Sequence, residues 1–169
     1  MPITILSGQR LTPARLNAPM TAYYPLDATP SLTSQATLQD TVLVVPIVSI
    51  SEVELSVRYT ANGGGIRWAW RSTGTVTGLS RDIGSAGSAA STTDASHNIG
   101  EMRWRQIATL DEEQVSAQYS TTTTQLIRER LIVDGAGTLV FRFAQASSNA
   151  SATSLHAASF ATVRRMRRP

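Results

Sequence analysis

The run Leu126–Met166, LIRERLIVDGAGTLVFRFAQASSNASATSLHAASFATVRRM, decides the fold. Its middle section alternates Leu139, Phe141 and Phe143 against Val140, Arg142 and Ala144, the period of a half-buried strand. Asp134-Gly135-Ala136-Gly137 stands between that section and the apolar run before it. Asp-Gly between two such runs signals a hairpin, because glycine supplies the positive φ that tight turns need. A Ser/Asn/Ala loop, Ala146 to Ser154, separates the middle section from a last extended run. The chain therefore ends in an antiparallel sheet.

Working back toward the N-terminus, the same grammar recurs. Val53, Leu55, Val57 and Tyr59 alternate with Glu52, Glu54, Ser56 and Arg58. After Asn62-Gly63-Gly64-Gly65 the pattern returns as Ile66, Trp68 and Trp70 against Arg67, Ala69 and Arg71, a second hairpin. Strands are also expected at Leu38 and Val42 to Val45, Met102 to Leu110, and Val115 to Thr124. The composition agrees: Ser and Thr number 40, all 15 basic residues are arginine, and helix-forming Glu is scarce. About eight strands favour an all-β antiparallel jelly-roll sandwich over a seven-strand immunoglobulin-like one. Residues 72–100, rich in Gly, Ser, Ala and Thr, read as one long loop that Leu79 and Ile83 pin in part.

Residues 1–31 differ. They hold five of the seven prolines and no sustained alternation. Thr12-Pro13 could cap one helical turn. Ile3, Ile5, Leu6, Leu11, Leu16, Met20, Tyr23, Tyr24 and Leu26 are too many apolar residues for a solvated linker. They read as an arm laid either on the chain's own domain or on a neighbouring subunit or larger assembly. The domain expected after it is 32–169, ending in a basic tail.

Several functions are disfavoured on chemistry. With no Cys there is no disulfide, thiolate metal site or cysteine nucleophile. No apolar run approaches a membrane span, and no leader-like N-terminal pattern is visible. The net charge of +3 is local: Arg164, Arg165, Arg167 and Arg168 crowd the last six residues and leave a near-neutral body. That argues against a nucleic-acid-binding face. The tail is either a solvated terminus or a contact for an acidic surface. His97 and His156 lack ligand-spaced partners and read as ordinary polar residues, so no metal or cofactor is expected. Asp111-Glu112-Glu113 reads as a solvated acidic turn rather than a pair of catalytic carboxylates. Asn149-Ala150-Ser151 fits a glycosylation sequon but reads as turn chemistry. Trp68, Trp70 and Trp104 are expected in core or intersubunit packing, with a sugar-stacking platform as the alternative.

Two stretches carry a resemblance. Gly8-Gln9-Arg10-Leu11-Thr12-Pro13-Ala14-Arg15-Leu16-Asn17 resembles the opening of many tailed-bacteriophage tail and appendage proteins, where it commonly marks the attachment end; Pro13 stands where Ala is usual. Gly137 to Val163, with Gly137-Thr138-Leu139-Val140-Phe141, Ala144-Gln145, Ser147 to Thr153 and Ala158-Ser159-Phe160, is similar to the end of small phage domains with a trimeric jelly roll like that of tumour necrosis factor and complement-type heads. Leu32 to Asp40 looks like their opening segment. The resemblance implies a non-enzymatic virion protein: a homotrimeric decoration or spike on the capsid, or else a minor tail protein, short tail fibre or receptor- or glycan-binding head. It implies anchoring to the major capsid protein or tail proteins through Ile3, Ile5, Leu6, Gln9, Arg10, Leu11, Leu16 and Asn17. Candidate trimer contacts are Phe141, Phe143, Ala157, Phe160 and Thr162.

Overall fold

The computed structural model describes residues 21–61, 63–86, 102–107, 109–116 and 120–166. They form twelve strands and no helix. In chain order these are β1 (Thr21–Pro25), β2 (Ser31–Leu32), β3 (Gln39–Ile47), β4 (Ser51–Ala61), β5 (Ile66–Ser72), β6 (Thr77–Ala86), β7 (Met102–Ile107), β8 (Gln114–Ser116), β9 (Ser120–Asp134), β10 (Gly137–Ala144), β11 (Thr153–Leu155) and β12 (Phe160–Arg165).

The pairings follow one rule. β6 pairs with β7, β5 with β8, β4 with β9, β3 with β10, β2 with β11 and β1 with β12, all antiparallel. The chain is thus one long ribbon, doubled back between β6 and β7 and then rolled. Rolling brings β10 onto β5, β9 onto β6, and β12 and β11 onto β4. One sheet has the order β1-β12-β4-β9-β6-β7, with β11 and β2 off that path, and the other β3-β10-β5-β8. This is the jelly-roll winding of a two-sheet sandwich.

The core lies between the sheets and comes from the alternation read in the sequence. Val53, Leu55, Val57 and Tyr59 of β4 and Ile127, Leu131 and Val133 of β9 face Leu43, Val45 and Ile47 of β3, Leu139, Phe141 and Phe143 of β10, and Ile66, Trp68 and Trp70 of β5. All are essentially buried. Trp70 and Phe141 meet edge to face with ring centroids 5.4 Å apart. Neither hairpin read from the sequence forms: β4 and β5 lie in different sheets, as do β9 and β10, because a glycine turn signals a chain reversal and not which sheet receives the returning strand. The Asp134–Gly137 turn carries the chain from one sheet to the other and interlocks with the β5–β6 turn. Thr73 and Thr75 donate backbone N–H groups to Thr138 and Ala136 carbonyls, and their hydroxyls accept from Thr138 and Ala136 N–H in return. A Cβ on Gly135, at φ +119°, would lie 2.2 Å from the Thr75 carbonyl oxygen.

Two boundaries differ from the sequence reading. Residues 72–100 are not one loop, since β6 occupies Thr77–Ala86 within them. There Ile83 is buried in the core, while Leu79 points out at 52% exposure. The misreading has a physical cause: β6 is built of Gly, Ser, Arg and Asp with little apolar alternation, and its pairing comes from β9. Residues 21–31 belong to the body rather than to an arm. β1 is hydrogen-bonded to β12, and the Leu26 side chain is fully buried, with its N–H donating to the Ser159 carbonyl. The proposed helical turn at Thr12 lies outside the described residues.

Candidate functional site

The molecule is polarised along its strands. Thr21 pairs with Arg164, Arg164 with Glu52, Glu52 with Ile132 and Ile132 with Ser80, so these residues form one level across the first sheet. The start of β1 and the end of β12 therefore lie at the same pole. The β6–β7 connection opens beyond Ala86 and Met102, six residues or about 20 Å further along β6, at the opposite pole.

At the pole of Thr21 and Arg164, Glu52 is only 5% exposed and lies between Arg130 and Arg164. Arg164 Nε donates to Glu52 Oε2 at 2.8 Å. Burial pushes the Glu52 carboxyl up, but the hydrogen bonds and charges of the two guanidinium groups outweigh it and hold the carboxyl below its usual range. Arg165 and Met166 follow as exposed residues. On the second sheet, Arg71 and Arg142 share Asp40, whose carboxyl is lowered chiefly by its hydrogen bond to Arg71.

The most elaborate polar constellation is sealed inside the core. Glu129 of β9 and Arg81 of β6 occupy inward positions of the first sheet, both with fully buried side chains. Arg81 Nε and Nη2 donate to the carboxylate at 3.1 and 2.8 Å. From the other sheet, Trp68 Nε1 and Trp70 Nε1 donate to its two oxygens at 2.5 and 2.7 Å. Arg81 Nη1 spends its protons on the carbonyls of Leu110 and Glu112. The carboxylate accepts four hydrogen bonds, two on each oxygen, and each guanidinium nitrogen donates at least one, the condition under which a buried ion pair is tolerated. The group lies sealed away from any substrate, so its chemistry is mechanical. It ties sheet to sheet and fixes the β7–β8 loop.

That loop carries the acidic run. Asp111 is exposed, Arg67 holds Glu113 at 3.1 Å, and Thr109 Oγ1 donates to Glu112 at 3.1 Å. Asp111 also lines an open groove of about 580 Å³ with Trp70, Arg71, Thr77, Gly78 and Arg142. At the other pole, Gln145 is wholly buried. Its Oε1 accepts the N–H groups of Gln35 and Asn149, and its Nε2 donates to the Ser151 carbonyl. Asn149 Oδ1 accepts the Ser151 N–H at 2.8 Å, which is the turn chemistry read from the sequon.

The expected site residues divide. Phe141 and Phe143 are in the core of a single copy, so they cannot serve as trimer contacts; their alternation marked burial, and the second sheet supplies it. Phe160 and Thr162 are half-buried on the outer face of β12, and Ala157 is exposed in the preceding turn. Phe160 packs on Tyr23 of β1 with ring centroids 5.1 Å apart, and Tyr23 is 59% exposed. Trp68 and Trp70 are fully buried, which rules them out as a sugar platform. Trp104 lies on β7. Ile3, Ile5, Leu6, Gln9, Arg10, Leu11, Leu16 and Asn17 lie outside the described residues, as does His97. No group of three His, Asp or Glu side chains gathers as metal ligands would among the described residues. The sequence reading missed the Glu129–Arg81 group. Its one visible sign was a glutamate in phase with Ile127, Leu131 and Val133.

No protein-family model matches the chain, and no curated protein matches it. Among solved structures, that of infectious bursal disease virus Gt strain is similar at 9% identity over 90% of this chain and 43% of that chain, with a TM-score of 0.26. That of the Gx strain follows at 10% identity, 88% and 40% coverage and a TM-score of 0.27. The crystal structure of the same virus's VP2 subviral particle gives 9%, 90%, 42% and 0.25. The chain thus spans less than half the length of the chains it is similar to.

Proposed function

We propose that this chain is a non-enzymatic structural protein of a virus particle, a homotrimeric decoration or spike held by its N-terminal arm. One observation carries the reading. Both ends of the rolled ribbon lie at one pole, and its doubled-back end lies at the other. Such a body can be gripped at one end while it presents the opposite one. In sequence, the phage-like motif Gly8 to Asn17 shortly precedes Thr21, the first residue of β1. Partners of that segment are the major capsid protein or tail proteins, and the site is the virion, on the capsid surface rather than the tail. Apolar burial there contributes roughly 25 cal/mol per Å², and three arms acting together add avidity without a covalent bond.

Because Thr21–Pro25 belongs to the sheet, the test deletes residues 1–20 and no more. The truncated protein is expected to keep its all-β circular dichroism and melting temperature but to be missing from particles assembled with its neighbouring capsid and tail proteins. Full occupancy without the arm would refute the reading. A second reading, a minor tail protein or short tail fibre whose head binds a host receptor or surface glycan, is favoured by the same polarity, because the β6–β7 end faces away from the attachment pole. Binding of the body to host cells, lost when residues 87–101 are replaced by a short Gly/Ser linker, would select it.

A further inference from the structure

The sandwich has two unlike flanks. β1 and β3 touch and close one side; β7 and β8 are the last strands of the two sheets on the other. β3 and β8 have no hydrogen-bonded strand on their outer sides among the described residues, and both carry exposed valines: Val42, Val44 and Val48 on or just after β3, and Val115 on β8. A long apolar edge left open is a pairing hazard unless something covers it.

Charges of opposite sign lie at one level on the two flanks. On the first, the end of β12 carries Arg164 and the exposed Arg165 beside β1. On the second, the β7–β8 loop carries Asp111, Glu112 and Glu113. Arg165 pairs with Ser51, Ser51 with Val133 and Val133 with Gly78, and Gly78 lines the same groove as Asp111. Neither Arg165 nor Asp111 has a side-chain partner among the described residues, whereas Arg164 is held by Glu52 and Glu113 by Arg67. The acidic loop is also preorganised, since the buried Arg81 grips its Leu110 and Glu112 carbonyls.

An exposed cation on one flank and an exposed anion at the same level on the other, each without an internal partner among the described residues, suit a head-to-tail contact between identical copies, which forms a ring where the rotation from copy to copy closes. We infer that the occupant of each flank is a second copy of this chain, with the Arg165 end of β12 in one copy against the Asp111 loop of the next and the β3 and β8 edges approaching alongside. This rests on the self-association proposed above and assigns the surfaces that would make it.

The chain contains no cysteine, so introduced thiols report proximity without background. In the full chain, the double variant Asp111→Cys/Arg165→Cys is expected to form, on mild oxidation, disulfide-linked species that stop at the size of the closed ring. Either single cysteine alone should give no such ladder. In parallel, Asp111→Arg and Arg165→Glu should each move the dissociation midpoint about tenfold or more upward in concentration at low salt, and the combined reversal should restore it. Circular dichroism of each variant checks that the body stays folded. Self-association that ignores both reversals, or a cysteine pair that does not cross-link, overturns this interface while leaving a trimer standing. A wild-type protein that stays monomeric overturns both.

Discussion

Replacing Glu129 with Gln tests the buried brace, because it keeps the shape and removes the charge. In the native protein the carboxylate accepts from Trp68, Trp70 and twice from Arg81. The amide offers one acceptor oxygen, and its NH2 would face donors. At least one indole or guanidinium N–H is then left unsatisfied, at about 1–3 kcal/mol. The Arg81 guanidinium is left as an uncompensated charge in a fully buried position, and breaking such a pair costs about 3–5 kcal/mol in all. Native stability is only about 5–15 kcal/mol. The melting temperature should therefore fall by roughly 6–20 °C for a chain of this size. Urea unfolding followed by tryptophan fluorescence measures this directly, since two of the three tryptophans touch the carboxylate. Exchanging Glu129 and Arg81 together for apolar residues should not recover the loss, because the two indole N–H groups and the Leu110 and Glu112 carbonyls would still lack partners. A Glu129→Gln protein within about 1 kcal/mol of wild type would show that the ion-pair account is wrong.

Gln145→Leu should cost about 2–4 kcal/mol by stranding the Gln35 and Asn149 amides, with faster hydrogen exchange at those two N–H groups as the specific sign. Gly135→Ala should lower stability by at least about 3 kcal/mol, because the new methyl group meets the Thr75 carbonyl in a left-handed backbone. Unchanged melting would show that the interlocked turns can separate freely. Glu52 gives a pH dependence whose sign follows from its lowered folded-state pKa. The unfolded carboxyl, near 4.5, binds a proton first as pH falls, so the stabilisation is fully present above that value and is lost as pH drops through the folded pKa. Stability measured against pH should fall less steeply below about 4.5 in Glu52→Gln than in wild type.

Much of the fold was legible, and what was not has identifiable causes. Alternation located β4, β5 and β10 because their inward residues are uniformly apolar, and it put Phe141 and Phe143 on a buried face. It could not say which surface did the burying, so residues inside one copy were read as contacts between copies. β6 escaped because its inward positions include Arg81, whose burial depends on Glu129 almost fifty residues later. β1 escaped because prolines at 19, 25 and 30 flank it and its partner is β12, at the far end of the chain. Local pattern reports burial well. Long-range pairing and buried charge depend on partners that no local window contains.

The nested pairing also has a temporal consequence. Only β6 with β7 can form from neighbouring segments; each further pair joins strands more distant in the chain, and residue 21 waits for residue 164. Loop closure must be met at every step before the contacts reward it, so folding should be slow, as for topologies dominated by non-local pairs. During synthesis, β1 emerges long before β12, its partner in the sheet. The pole at which Glu52 sits between Arg130 and Arg164 therefore forms only when β12 joins β1 and β4.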